Sequence, residues 1–197
     1  MFGYRPVGEE EVIRKNMALA EERNYTIEFI EALPEHVQAE LIDGQIFYMA
    51  TPATLHQQLL SFLTLEIGMY LRRKKGPCQL LFSPTAVYLD ENTYLIPDLL
   101  VVCDEKKLDR KGVRSAPDFV AEILSPSTCG RDCLLKRDKY QKAGVREYWI
   151  LDGERRTVQV YDFQQGRSSG YSFSDPVPVG IFGDLTVDFT EFMPESD

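Results

Sequence analysis

Two short stretches constrain this chain more than anything else in it. YLIPDLLVV (residues 94–102) and PDFVAEILS (residues 117–125) are apolar enough to lie inside a sheet, yet each carries an acid where an apolar residue belongs. Counted with a period of two from Asp118, Glu122 falls on the face of Val120 and Leu124, while Phe119, Ala121 and Ile123 take the other. Asp98 likewise shares a face with Leu100 and Val102. Neither face reads as a solvated one. A buried, ionised carboxylate without a partner is costly, so each acid needs a cation, a metal or a hydrogen-bond network brought by another part of the chain. The plainer reading of either acid alone is a satisfied cap or an exposed strand end.

The rest of the sequence supplies the surroundings. At 197 residues the chain fits one domain. Residues 8–23 carry acids first and bases later around a thin apolar stripe, which suggests a peripheral helix in an N-terminal helical arm spanning residues 1–24. TIEFIEALPE reads as a short helix ending near Pro34, and Asp43-Gly44 between two apolar-rich runs predicts a β-hairpin. Residues 55–75 place Leu55, Leu59, Phe62, Leu63, Ile67, Tyr70 and Leu71 at helical spacing and end in four basic residues. QLLFS, TAVYLD and the continuous run 94–102 follow as strands. DEKKLDRKGVRSA reads as a charged loop or exposed turn. PDFVAEILS, RDCLLKRDKYQKAG and VREYWILD then give a strand, a helix stopped by Gly144 and a strand, with further strands expected in TVQVYDF and IFGDLTVDF. The economical fold is a mixed α/β sheet flanked by helices.

Charge narrows the partners. The chain has 22 basic and 31 acidic residues, a net charge of −9, so no general basic sheath for nucleic acid is available. Local clusters remain: Arg72 to Lys75, then Lys106, Lys107, Arg110, Lys111 and Arg114, then Arg131, Lys136, Arg137, Lys139 and Lys142. Each also suits an ordinary helix end or solvated face. No apolar run long enough to span a bilayer occurs and the N-terminus lacks the apolar core of a signal peptide, so a cytoplasmic protein without membrane partners is expected. In that setting Cys78, Cys103, Cys129 and Cys133 read as reduced thiols, and the lone C-x3-C of the last two suits helix packing better than zinc.

Converging carboxylates suit hard, oxygen-loving ions such as Mg²⁺ or Mn²⁺, which keep several waters and bridge to phosphate oxygens. Lys136 lies on the helix after Glu122, on the face of Asp132, Tyr140 and Ala143. A lysine beside such an ion can position or deprotonate an attacking water and offset charge in a phosphorane-like transition state, which is the chemistry of phosphodiester hydrolysis. Its plainer reading is an i,i+4 ion pair with Asp132, and Lys139 competes for the role. The other candidates are also two-sided. Glu40 suits either a further carboxylate at the site or a water-facing strand residue beside the Asp43-Gly44 turn. His56, one of two histidines with His36, suits either the site or a helix N-terminus. The SPST segment from Ser125 to Thr128 offers hydroxyls but suits capping of the next helix. No G-x-S-x-G occurs, so a serine hydrolase is unsupported.

Pro97-Asp98 followed by Glu122-Ile-Leu124 resembles the PD-(D/E)xK nuclease signature, with Leu124 in the place of its lysine. The fuller series is more specific: ELIDG (Glu40 to Gly44), His56, IPDLLVV, PDFVAEILSPST, Asp132-x3-Lys136-x3-Tyr140 and AGVREYWILD resemble the Uma-two family of restriction endonucleases. The resemblance spans residues 25–165, the core of a domain running to residue 197. It implies an α/β restriction-endonuclease-like core and an endonuclease acting on DNA with Mg (or Mn) as cofactor, commonly as a homodimer. Asp98 and Glu122 would hold the metal, Lys136 would carry the migrated lysine function, Glu40 would add a further carboxylate, and His56, Leu124 and Tyr140 are accessory candidates. Two other readings stay open. The acidic charge and Leu124 also suit a noncatalytic binding or regulatory module on a nuclease fold, and a phosphohydrolase of small nucleotides would tolerate the acidic surface.

Overall fold

The computed structural model describes residues 25–34, 37–125 and 131–192, with the backbone alone for residues 131–134. The expected N-terminal arm, His36, Pro126 to Thr128 of the capping motif, Cys129, and the side chains of Arg131, Asp132 and Cys133 lie outside the described residues.

A short helix α1 (Ile27–Glu31) leads into β1 (Ala39–Ile42) and β2 (Gln45–Tyr48). Their connection puts Asp43 at φ 51° and Gly44 at φ 77°, the left-handed pair that a tight hairpin turn requires. The long helix α2 (Thr54–Lys74) ends at Lys75 in a left-handed cap, with Arg72, Arg73 and Lys74 in its last turn facing the negative end of the helix dipole. Then come β3 (Gln79–Phe82), β4 (Val87–Asp90), β5 (Thr93–Leu95) and β6 (Leu99–Val102). β7 (Phe119–Ile123), α3 (Arg131–Ala143) and β8 (Glu147–Asp152) make the expected strand, helix, strand unit, stopped at Gly144 with φ 96°. The chain ends in β9 (Thr157–Asp162), β10 (Arg167–Ser172), β11 (Pro176–Pro178) and β12 (Thr186–Asp188).

The strands form a six-stranded sheet in the order β10-β9-β8-β7-β6-β3, a four-stranded sheet β2-β1-β5-β4 and the hairpin β11-β12. In the large sheet β7 and β8 run parallel, joined by α3, while the other neighbours are antiparallel. Both faces of this sheet are covered. Leu59, Leu63 and Ile67 of α2 pack with Leu99, Val101, Phe119, Ala121 and Trp149 on one face, where the β11-β12 hairpin adds Val177 and Val187. On the other face Leu100, Val102, Val120 and Tyr148 meet Tyr140 of α3 and Ile42, Val87 and Leu95 of the small sheet. Burial on both sides is what the unbroken apolar strands demanded.

Several expectations are revised. The run 94–102 is two strands in two sheets: β5 pairs with β1 and β4, β6 pairs with β3 and β7, and Ile96-Pro97-Asp98 makes the crossing. Proline lacks the N–H that a central ladder needs, so the break falls there and sets Asp98 at the joint between sheets. The charged loop holds a 3₁₀ turn (Glu105–Lys107) and a fully buried Val113 that bridges to Val87 and Leu108. β10 and β11 were not legible, because RSSGYS and PVP have no apolar alternation and form by pairing with β9 and β12. In IFGDLTVDF only Thr186–Asp188 is extended in a sheet.

For Cys78 and Cys103 the expectation of reduced thiols is overturned by a disulfide between them. Antiparallel pairing of Gln79 with Val102 makes residues 78 and 103 the next facing pair, a proximity that a sequence separation of 25 conceals. Among the described residues no helix is long and apolar enough to cross a membrane.

Candidate active site

The joint between the sheets collects the buried polar groups. Asp98 precedes β6 and, by the pairing of Leu99 with Ala121, lies laterally beside Glu122 of β7. Glu40 enters from β1, His56 from the first turn of α2, and Lys136 and Tyr140 from α3 at i,i+4 spacing. Glu40, His56, Asp98 and Glu122 are all buried, and the Lys136 side chain is 11% exposed.

Lys136 organises the group. Its Nζ lies 2.8 Å from Glu40 Oε2 and donates to Glu122 Oε1 at 3.1 Å. Tyr140 Oη donates to that same Glu122 oxygen at 3.0 Å. Glu40 Oε1 accepts the Ile96 backbone N–H at 2.9 Å, which ties β1 to the crossing between the sheets. Asp98 Oδ2 accepts His56 Nε2 at 3.1 Å and the Ile123 N–H at 2.7 Å. These bonds leave Asp98 Oδ1 and Glu122 Oε2 without a protein partner among the described residues. His56 Nδ1 is buried and likewise unpaired among them.

The electrostatics follow from this packing. Burial raises the Glu122 carboxyl, Lys136 opposes that, and Asp98 and Glu40 add to it, leaving a pKa of about 7. Burial disfavours the Lys136 charge, yet Glu122 and Glu40 outweigh it and hold the ammonium protonated above its ordinary range. Burial also works against a charged His56, but its bond to Asp98 and the charges of Asp98 and Glu122 raise its pKa. Tyr140 is driven well above a free phenol, first by burial and then by Glu122 and Glu40.

Glu40, His56, Asp98, Glu122, Leu124 and Lys136 all line one cavity of about 580 Å³. The structure thus brings together the residues that the family resemblance nominated, with Tyr140 bonded to Glu122 from the core. It revises the water-facing reading of Glu40, which is 5% exposed. Leu124, in the place of the signature's lysine, lines the cavity wall, and its N–H donates to the Leu151 carbonyl. Lys139 pairs with Asp43 at the hairpin turn and is not part of the lining. Arg72 to Lys75 and the 106–114 cluster contribute nothing to it either, and Lys74, Lys111 and Arg114 are paired with Asp184, Glu31 and Asp109. What the sequence did not signal is the aromatic side of the cavity, Phe47, Tyr48 and Phe82, which read there only as strand residues.

No three carboxylate, imidazole or thiol groups among the described residues form a ready-made metal cage. Lys136 bridges Glu40 and Glu122. Asp98 and Glu122, each with an uncommitted oxygen at the cavity, match the one or two carboxylates by which Mg²⁺ is commonly held alongside waters and phosphate oxygens.

Comparison with known proteins agrees with this architecture. No curated protein matches the chain. A crystal structure described as "a putative nuclease belonging to DUF820", from Anabaena variabilis ATCC 29413, superposes with a TM-score of 0.69 at 21% identity, covering 84% of this chain and 94% of that one. That similarity shows a shared fold. Residues 27–185 match the Uma2 family, described as "Putative restriction endonuclease". With most of its length inside that match, and with the fold to go with it, the chain belongs to the Uma2 family.

Proposed function

We propose that the chain is a metal-dependent endonuclease that hydrolyses phosphodiester bonds of DNA in this cavity. The observation that carries the reading is the buried Lys136 ammonium held by Glu40 and Glu122, with Asp98 beside Glu122, at the wall of a cavity. Asp98 and Glu122 would hold Mg²⁺ or Mn²⁺. Such an ion supplies Lewis-acid polarisation of a phosphoryl oxygen and a more acidic bound water.

The chain's own residues do the rest. Lys136, kept cationic, has one N–H beyond its two carboxylate bonds to direct at an attacking water or a phosphate oxygen, and its charge offsets the negative charge that builds in the transition state. This makes it a donor and an electrostatic group instead of a base. Glu40 is a positioning residue: one oxygen is anchored to Ile96 N–H and the other aims the ammonium. Tyr140 fixes the Glu122 carboxylate, and His56 with Ile123 N–H fixes Asp98, leaving the second oxygen of each acid for the ion. Leu124 does not weaken this assignment, because Lys136 brings an amine to the same carboxylate from α3.

The test is cleavage of supercoiled, linear and single-stranded DNA with Mg²⁺ or Mn²⁺ by the wild type beside Asp98→Ala, Glu122→Ala and Lys136→Ala, with circular dichroism to verify folding. Activity lost in all three folded variants is the expected result. Equal trace activity in all four proteins would mark a contaminant and leave a noncatalytic binding or regulatory module on this fold.

A further inference from the structure

The cavity has two unlike sides. Its buried part holds the acids and Lys136, and its exposed part mixes apolar side chains with polar Gln38, Thr51, Gln57 and Ser61. Tyr48, Leu65 and Phe82, from β2, α2 and β3, line it while remaining 67%, 58% and 52% exposed. Exposed apolar residues scattered singly need no explanation, and these three are gathered at one cavity. They line the same cavity as the acids, and the strands that carry Tyr48 and Phe82 are paired with strands at the acids. Phe47, next to Tyr48, pairs directly with Glu40, so the side chains of Phe47 and Glu40 share a face of the β1-β2 ribbon. Phe82 pairs with Leu99, and the following Ser83 N–H donates to the Asp98 carbonyl at 2.9 Å.

The charges around the cavity complete the picture. Among the described lining residues the sole lysine or arginine is Lys136, which is committed to two carboxylates. Duplex binding by the backbone draws its affinity from phosphates neutralised by lysine and arginine, and among the described lining residues Lys136 is the one such group. Base stacking on aromatic rings contributes about 1–3 kcal/mol per base without reading sequence, and it needs bases freed from a duplex. A cavity of about 580 Å³ is also within the range of pockets that enclose a single small ligand.

Building on the nuclease reading, we propose that Tyr48 and Phe82 form a stacking platform for unpaired bases, so that the substrate strand reaches Asp98 and Glu122 as single-stranded nucleic acid. Two rings in the lining shared with the carboxylates would hold successive bases and lay the intervening phosphodiester over the acids, with stacking contributing to the affinity.

The experiment is fluorescence anisotropy of a labelled single-stranded DNA oligonucleotide and of its fully paired duplex, in Ca²⁺, with Mn²⁺-dependent cleavage of both measured in parallel. The single strand should bind at least about tenfold more tightly than the duplex. Tyr48→Leu and Phe82→Leu should each weaken single-strand binding about tenfold, while Tyr48→Phe and Phe82→Tyr, which keep a ring, should retain it. Equal losses in the leucine and the ring-preserving variants, or no loss in any, would overturn the platform. Metal-dependent cleavage confined to the duplex would overturn it and leave the nuclease reading intact. Ring-dependent single-strand binding without cleavage of any substrate would support the platform and count against the nuclease reading. A wild-type dimer that Tyr48→Leu and Phe82→Leu convert to monomer would assign the patch to a second copy of the chain and overturn the proposal.

Discussion

Glu122 and Glu147 sit on neighbouring parallel strands, both buried, both with a carboxyl pKa raised by burial, and they have opposite fates. Glu147 is closed. Its Oε1 accepts the Trp149 indole N–H at 2.6 Å and its Oε2 accepts Ile181 N–H at 2.8 Å, while Gly180 approaches so closely that a Cβ there would meet Oε2 at 3.0 Å. It fastens the segment before β12 to the large sheet. Glu122 is open: a lysine and a tyrosine share one oxygen, two more acids stand near, and the second oxygen has no protein partner among the described residues. Burial and a raised pKa therefore do not distinguish a site from a brace. Unspent bonding capacity at a cavity does.

Substitutions at the two glutamates and their partners should have unequal effects. Asp98→Asn or Glu122→Gln should lower metal-dependent cleavage by about 10²–10³-fold with folding retained, whereas Glu147→Gln should leave the activity of the folded protein unchanged. Lys136→Met should destabilise the fold by about 3 kcal/mol in urea unfolding, because it leaves Glu40 and Glu122 buried without their cation, and Lys136→Met with Glu122→Gln should recover part of that loss. Glu147→Ala should cost about 2 kcal/mol by orphaning the Trp149 and Ile181 donors, with metal affinity unaltered.

Glu147 also predicts a pH dependence. Its folded-state pKa is raised above the ordinary 4.5, so the folded state holds that proton more tightly than the unfolded chain. Its contribution to stability is full below 4.5 and declines as pH rises through the elevated folded-state value. The stability difference between wild type and Glu147→Gln should shift in that direction across an acid-to-neutral series of unfolding curves. The smallest effect belongs to Lys139→Ala, whose partner Asp43 is largely exposed: under about 1 kcal/mol in thermal unfolding, with cleavage retained. Lost cleavage there would return Lys139 to contention with Lys136.

Local patterns made much of this legible. Period-two counting placed Glu122 on the face of Val120, and helical spacing placed Lys136 with Tyr140, because both depend only on residues a few positions apart. Interactions that arise from stacking one sheet on another were not legible. The burial of Glu40 depends on β1 lying inside the small sheet against the site, and His56 meets Asp98 across 42 residues. The division of 94–102 between two sheets was signalled by Pro97 and masked by the apolar residues on both sides of it. The Cys78–Cys103 bond depended on a strand register that composition does not reveal.

The most direct test of the central claim, that Asp98 and Glu122 together hold a divalent ion, is calorimetric titration of the folded protein with Mn²⁺. Binding to the wild type and to Glu147→Gln, abolished in both Asp98→Asn and Glu122→Gln, is the predicted result. Absence of binding to the wild type, or binding that survives both substitutions, would contradict it.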